Sequence, residues 1–509
     1  MNKNIFFYSV RLFVFIGFAV IHSNTLQSQS KTRGQTKLTL TLSEVIKLSQ
    51  EQSPQAIRAK HEFRGKYWEY RSYKADRLPN LMLTSTPFNY NQSIVKTTVQ
   101  DTSGEFVTQS GNIKELRSDA ELSLNQNINL TGGDLYIKSG LGYIKPISQG
   151  RPENFDSKIV SIGIRQPLNG YNSDYWKKKV EPLKFEEAKR NYVYNLESVS
   201  LRAVNLFFDL AMAQITQGVA KMNFSNADTL YKIARGRYNI GTIAENELLQ
   251  MELSKLNAST RVNQSKVDLE YKKSQLRSFL GYNESVDIEI ILPEISIQKT
   301  LQADSVLSMA FQNNPNIIAF ERQLLEANRE VARTRAEKAF TASVSAEYGL
   351  NKYAPTLDMA YKNPGDMQMA QIGLSIPLVD WGMRRGQYKM AQSNREVIKS
   401  SIDQQQTDFE QDIFLKVMQF NLQGDQLYTA SKADTVAQLR YNVIKQRFLI
   451  GKISITDLNI AVAEKDEASL GYISALRNYW NNLYEIRRVT LYDFISNMPI
   501  TVNVDDVVK

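Results

Sequence analysis

Two periodicities divide this chain. In "TASVSAEYGL", Ala342, Val344, Ala346, Tyr348 and Leu350 fall on one face of an extended segment, and Thr341, Ser343, Ser345, Glu347 and Gly349 on the other. In "QMAQIGLSIPL", Ala370, Ile372, Leu374 and Ile376 oppose Gln371, Gly373 and Ser375. In "DAELSLNQNINL", Ala120, Leu122, Leu124, Ile128 and Leu130 oppose Asp119, Glu121, Ser123, Asn125, Asn127 and Asn129. Alternation of this kind predicts strands of about ten residues, apolar on one side and polar on the other. Elsewhere the spacing is three and four: Phe185, Ala188, Tyr192, Leu196, Val199, Ala203, Phe207 and Leu210 form a helical stripe.

The plan occurs twice. "IGIRQPLNGYNSDYWKK" (Ile162–Lys178) and "LSIPLVDWGMRRGQ" (Leu374–Gln387) each end an alternating run in a Pro-Leu pair, turn, and begin a long charged segment. Pro167 and Pro377 are 210 residues apart, as are Gly241 and Gly451 in "RYNIGTIAENELL" and "RFLIGKISITDL". Pro54 and Pro315, in "LTLSEVIKLSQEQSPQAIRAK" and "LQADSVLSMAFQNNPNIIAFE", are 261 apart. The first copy therefore holds about 51 more residues, between Arg77 and Ile162. A period of this length is a duplicated half-protein, not a solenoid of small units. The first repeat spans 38–299, with strands and the insertion in 80–167 and a tip at 238–247. The second spans 300–495, with strands in 340–377 and a tip at 448–457; residues 496–509 form a tail.

Between Gly170 and Gly241 and between Gly382 and Gly451, long helices are expected, each reaching about 100 Å. Helices of about 40 residues follow each tip, and helices of about 36 residues are expected over 42–77 and 303–338. Stacked end to end, one of each shorter kind matches the reach of a long helix, so the two can stand side by side in one wall.

Composition narrows the function. The chain of 509 residues has no cysteine and two histidines. Thiolate sites and a multi-histidine metal centre are thereby excluded. Residues 1–30 have a basic start (Lys3, Arg11), a short apolar run (Leu12–Ile21) and small residues at Ser28 and Ser30, the layout of a secretory signal. His22 lies in it, leaving His61 on a charged helix face. No later run is long enough for a transmembrane helix. The net charge of +9 is spread among acidic residues along helix faces, with no nucleic-acid track. Cofactors and metals are not expected; carboxylate-only chemistry stays open on composition, though no acidic pair stands out from the helix-surface charges.

Two-faced strands of about ten residues suit either an amphipathic sheet or a transmembrane β-barrel. One copy supplies about four strands, too few to enclose water, and lipid does not tolerate open sheet edges. Several copies would have to share one barrel, three giving about twelve strands. The Pro-Leu turns, Pro167, Leu168, Pro377, Leu378, Asp380, Trp381 and Gly382, would mark where membrane strand gives way to helix, with Trp381 as an interfacial anchor. The alternative is a secreted periplasmic coiled-coil scaffold or binding protein without a channel.

Over about residues 38–495 the chain resembles the TolC-like outer-membrane efflux family, through "IPLVDWGMRRGQ", "YNIGTIAENELL" and "FLIGKISITDL". The resemblance implies a mostly α fold with β: a homotrimer whose 12-stranded outer-membrane barrel stands on a periplasmic helical barrel. It implies the outer membrane of a Gram-negative bacterium, lipid around the barrel, and docking on a periplasmic adaptor and an inner-membrane pump. The trimer would be a passive exit duct for drugs, small molecules or proteins. Gly241, Thr242, Gly451 and Lys452 would correspond to the adaptor-docking tips. Asp457 would correspond to the acidic ring of the periplasmic gate. Ile460 stands where the family has a second aspartate, Glu247 occupies a latch position, and Ile453 replaces the family's latch arginine.

Overall fold

The structure, a computed structural model, describes residues 36–100, 104–147, 152–293 and 300–508. The signal segment, with Ser28 and Ser30, and the repeat boundary at residue 299 lie outside these residues. Strand β1 (Thr36–Thr41) leads into α1 (Leu42–Gln52) and α2 (Pro54–Asp76). Four strands follow: β2 (Asn80–Gln100), β3 (Phe106–Ile128), β4 (Gly133–Pro146) and β5 (Asn154–Pro167). Then come α3 (Ser173–Asn239), α4 (Glu245–Phe279) and β6 (Val286–Ile291). The second repeat runs α5 (Ala303–Asn313), α6 (Pro315–Lys338), β7 (Thr341–Ala354), the short α7 (Leu357–Ala360), β8 (Gly365–Ser375), α8 (Met383–Leu449) and α9 (Ile455–Thr490). A two-residue ladder, β9 (Tyr492–Asp493) with β10 (Met498–Pro499), and α10 (Val504–Val508) end the chain.

The helices expected over 42–77 and 303–338 are each broken in two. Ser53 ends α1 with its N–H on Ser49 O, then starts α2 by accepting from the Ala56 N–H at 3.1 Å. Asn314 does the same between α5 and α6, donating to Ala310 O and accepting from the Asn316 N–H. Pro54 and Pro315 force this: proline disfavours helical ψ in the residue before it, and Ser53 and Asn314 are extended at ψ 145° and 133°. Proline is then well placed at the first helical position.

Helices α3 and α8, of 67 residues each, run from the Pro-Leu turns to the tips. Near the tips the wall order is α4-α3-α9-α8; nearer the sheet it is α2-α3-α6-α8. Each long helix is thus flanked by a broken pair. The main core lies at mid-height, where Phe207, Phe208, Leu276, Val306, Phe420 and Ile486 are buried together. There β1 pairs with β6 in parallel, joining the two halves of the broken pair α2/α4. A smaller cluster, Phe63, Ala188, Tyr192 and Val507, seats α10 on α2 and α3.

The large sheet is a six-stranded antiparallel meander, β2-β3-β4-β5-β7-β8. The expected count of about four strands per protomer is therefore too low. The residues that lengthen the first repeat fold as an additional hairpin inside the same sheet, so the first repeat has four strands against two. Gly132, at φ +74°, closes the β3–β4 turn in the left-handed conformation that glycine alone adopts without strain.

Candidate functional site: a two-faced sheet and a paired helical tip

The sheet has two chemically distinct faces. Following the register, Leu81, Leu124, Ile137, Ile162 and Tyr348 form one rung across five strands on one side. Leu83, Leu122, Leu135, Val160, Ile372 and Leu374 on the same side are exposed. At these positions the face stands open within the protomer; farther from the helices α7 lies on it, where the Ser157 hydroxyl donates to Ala360 O. The opposite face carries ion pairs that cross strands: Glu121 with Lys138 at 3.4 Å and Lys158 at 3.9 Å, and Arg117 with Asp156 at 3.8 Å; Arg117 also pairs with Asp119 on its own strand at 2.9 Å. Tyr136 lies across Gly163 and donates to Glu347 Oε2 at 2.9 Å, linking β4 to β7. A Cβ on Gly163 would stand 2.3 Å from that ring, so only glycine fits there.

The two Pro-Leu turns end the sheet. After Pro167, the Leu168 N–H donates to Ala342 O, and the Asn169 side chain donates to Phe340 O and accepts from the Ala342 N–H. After Pro377, Asp380 accepts from the Gly382 and Arg384 N–H groups and so starts α8. Gly382 follows at φ +85°. Leu378 and Trp381 are exposed within the protomer, Trp381 at 96%. An exposed Trp at the rim of an apolar face has the disposition of an interfacial anchor.

At the far end, α3 and α8 terminate alike. The Gly241 N–H donates to Tyr238 O and Thr242 to Arg237 O; Gly451 donates to Phe448 O and Lys452 to Arg447 O. This double bonding with a left-handed glycine is a Schellman end. Thr242, Glu247, Gly451 and Lys452 meet around one cleft of about 720 Å³ between the two tips. Asp457 and Ile460 are exposed and do not line it. The Asp457 carboxylate turns back on its own helix, accepting from Ser454 Oγ at 2.7 Å and the Ser454 N–H at 3.3 Å in a capping box.

Three features escaped the sequence. Arg237 reaches across the cleft to donate to Leu449 O at 3.0 Å, tying the end of α3 to the end of α8. The repeated Arg four residues before each tip glycine was its only signal. Higher in the coils, Lys465 is buried beside Asp466 at 3.0 Å, while Asp466 accepts from Asn223 at 2.5 Å and Asn226 donates to the Tyr441 hydroxyl at 3.0 Å. Burial raises the Tyr441 hydroxyl above its ordinary pKa. At mid-height, Glu197 is buried against Arg487 at 2.8 Å, and Arg487 also holds Asp493. Burial pushes the Glu197 carboxyl above its ordinary value, with Arg487 opposing. These charges sit at helical spacing and read in sequence as solvated faces.

Among the described residues no helix is long and apolar enough to cross a membrane, and no cluster of metal-binding side chains occurs. Residues 306–490 match the outer membrane efflux protein family. The resemblance drawn from the sequence stands over these residues; over the rest of the chain, solved structures share the fold. The Campylobacter jejuni CmeC outer membrane channel superposes with a TM-score of 0.64 at 14% identity, over 92% of this chain and 89% of that one. VceC of Vibrio cholerae, an outer membrane protein, gives 0.61 at 13%, over 88% and 95%. The open-state Neisseria gonorrhoeae MtrE outer membrane channel gives 0.58 at 14%, over 88% of each. No curated protein matches the chain.

Proposed function

Taking that resemblance as premise, we propose that this chain is the protomer of a trimeric outer-membrane exit duct. It passively conducts drugs, small molecules or proteins delivered by an inner-membrane pump through a periplasmic adaptor. The observation that carries the reading is that the protomer is a slab with two open edges. One edge is α4, α2 and β2; the other is α8 and β8. Along α4, Leu249, Leu253, Leu256 and Val267 stand exposed at heptad spacing; along α8, Leu415, Met418, Leu422, Val436, Leu439 and Val443 do the same. Unpaired strand edges continue both stripes into the sheet. Two different edges that complement each other make a head-to-tail contact, and closing it gives a ring. The outward apolar face of the sheet then meets lipid, and the ion-paired face meets water. A soluble scaffold would leave both stripes and the apolar sheet face in water, which argues against it.

Thr242, Gly451, Lys452 and Gly241 are assigned to adaptor docking, since they occupy the outer end of the paired tips. For the gate, the capping geometry of Asp457 makes two roles separable. Asp457→Asn retains a side-chain acceptor for Ser454 but removes the charge; Asp457→Ala removes both. A gate ring predicts that both variants alter cation block in planar bilayers. If only Asp457→Ala changes behaviour, and does so together with thermal stability, Asp457 is a helix cap alone. For the whole reading, the test is extraction: a detergent-dependent, heat-dissociable trimer that forms channels supports it, and a detergent-independent monomer overturns it.

A further inference from the structure

The count of strands carries more than the shape of one protomer. We propose that this duct crosses the outer membrane through an eighteen-stranded barrel, six strands from each of three copies, with β8 of one copy zipped to β2 of the next. The inference rests on the ring reading above. It departs from the twelve strands that the family resemblance implies.

Three observations place the additional hairpin within the membrane barrel and not above it. First, β3 and β4 pair without interruption from Glu115–Pro146 down to Ile128–Gly133, a full transmembrane length. Their lower turn sits level with the Pro-Leu turn: Asn172 at the start of α3 donates to Asn129 O and Leu130 O, and Thr131 donates to Gln166. Second, the apolar face does not stop at the strands common to both repeats. Leu81, Leu83, Leu122 and Leu124 extend it at the same height as Ile137 and Ile162. A hairpin standing in water would have no cause to expose those leucines on one side alone. Third, the polar face is shared, because Glu121 and Arg117 of β3 pair with Lys158 and Asp156 of β5. Above Lys114, where β4 ends, β2 and β3 continue as a two-stranded ribbon up to Gln100 and Phe106.

Parity permits the insertion. Each repeat enters and leaves its strands on the helical side, so strands are gained two at a time and every neighbour stays antiparallel, including β8 against β2. Among the described residues these two strands each pair on one side only. With strands about 4.8 Å apart and tilted about 40°, twelve strands give a backbone diameter of about 24 Å and eighteen about 36 Å. The wider barrel admits a bundle of two packed helices, each about 10 Å across. The size limit of the duct then lies at the periplasmic tips and not in the membrane.

The absence of cysteine makes a direct test possible. Single cysteines are placed in β8 at lumen-facing Met367, Met369, Gln371 or Gly373, and combined with single cysteines in β2 at Asn80, Met82, Thr84 or Thr86. A second set combines the β8 positions with Tyr136→Cys or Lys138→Cys in β4. After oxidation of isolated outer membranes, at least one β8–β2 combination is expected to give a covalent ladder ending at three copies, with no ladder from β8–β4. Ladders from β8–β4 alone would mean that the additional hairpin lies outside the barrel, overturning the inference while leaving the ring intact. No ladder from either set would overturn the ring reading and the inference with it.

Discussion

The helical and sheet regions of this molecule treat the same duplication differently. In the coils the two repeats agree almost to the residue: α3 and α8 have 67 residues each, and α4 and α9 have 35 and 36. In the sheet the first repeat contributes four strands and the second two. The reason is geometric. Helices in one wall must end together, because one added turn displaces a tip by about 5.4 Å and uncouples Arg237 from Leu449. A sheet grows sideways, and a hairpin adds width without moving either end. Length is therefore constrained in the coils and width is free in the barrel.

The comparison can be broken most strongly at the sheet. Gly163→Leu drives a side chain into the Tyr136 ring, and near-complete loss of the heat-dissociable assembled form in outer membranes is expected. In the coils the largest single effect is expected at the mid-height core: Phe207→Ala should cost about 3–5 kcal/mol, read as a lower unfolding temperature of the detergent-solubilised particle. Arg487→Met leaves Glu197 buried without its partner and should cost about 3–5 kcal/mol in the same measurement.

Protonation sharpens that last point. Burial holds the folded-state pKa of Glu197 above its ordinary 4.5, so the folded protein binds this proton more tightly than the unfolded chain does. The resulting stability is full below pH 4.5 and is lost as pH rises through the raised value. Glu197→Gln should abolish this component, so the difference in unfolding temperature between the native protein and the variant should shift with pH across that window. At the tips the effects are expected to be smallest. Arg237→Ala should cost about 1 kcal/mol and raise the frequency of channel opening in bilayers, since it removes one link between the ends of α3 and α8.

How much of this was legible in the sequence follows the same division. Long helices and their tips were readable because Gly241 and Gly451 punctuate an uninterrupted three-four spacing. The alternation in 341–350 and 119–130 likewise gave the two faces of the strands. The breaks at Ser53 and Asn314 were signalled by the matched prolines Pro54 and Pro315, but apolar spacing continues across both and reads as one helix. The number of strands was not readable, since β2 holds Pro87 and a register shift between Thr86 and Asn89 that interrupt its alternation. The pairing of β1 with β6 joins segments some 250 residues apart, beyond the reach of local pattern. Lys465, Asn223 and Tyr441 acquire their meaning only when three helices meet.

The central claim is that one chain is a wall segment with two unsatisfied edges, completed by its own copies. The most direct measurement is the native mass of the particle extracted from outer membranes in mild detergent. Three copies of the chain in a closed particle is the predicted result. A single copy, stable and soluble once detergent is withdrawn, would contradict the account.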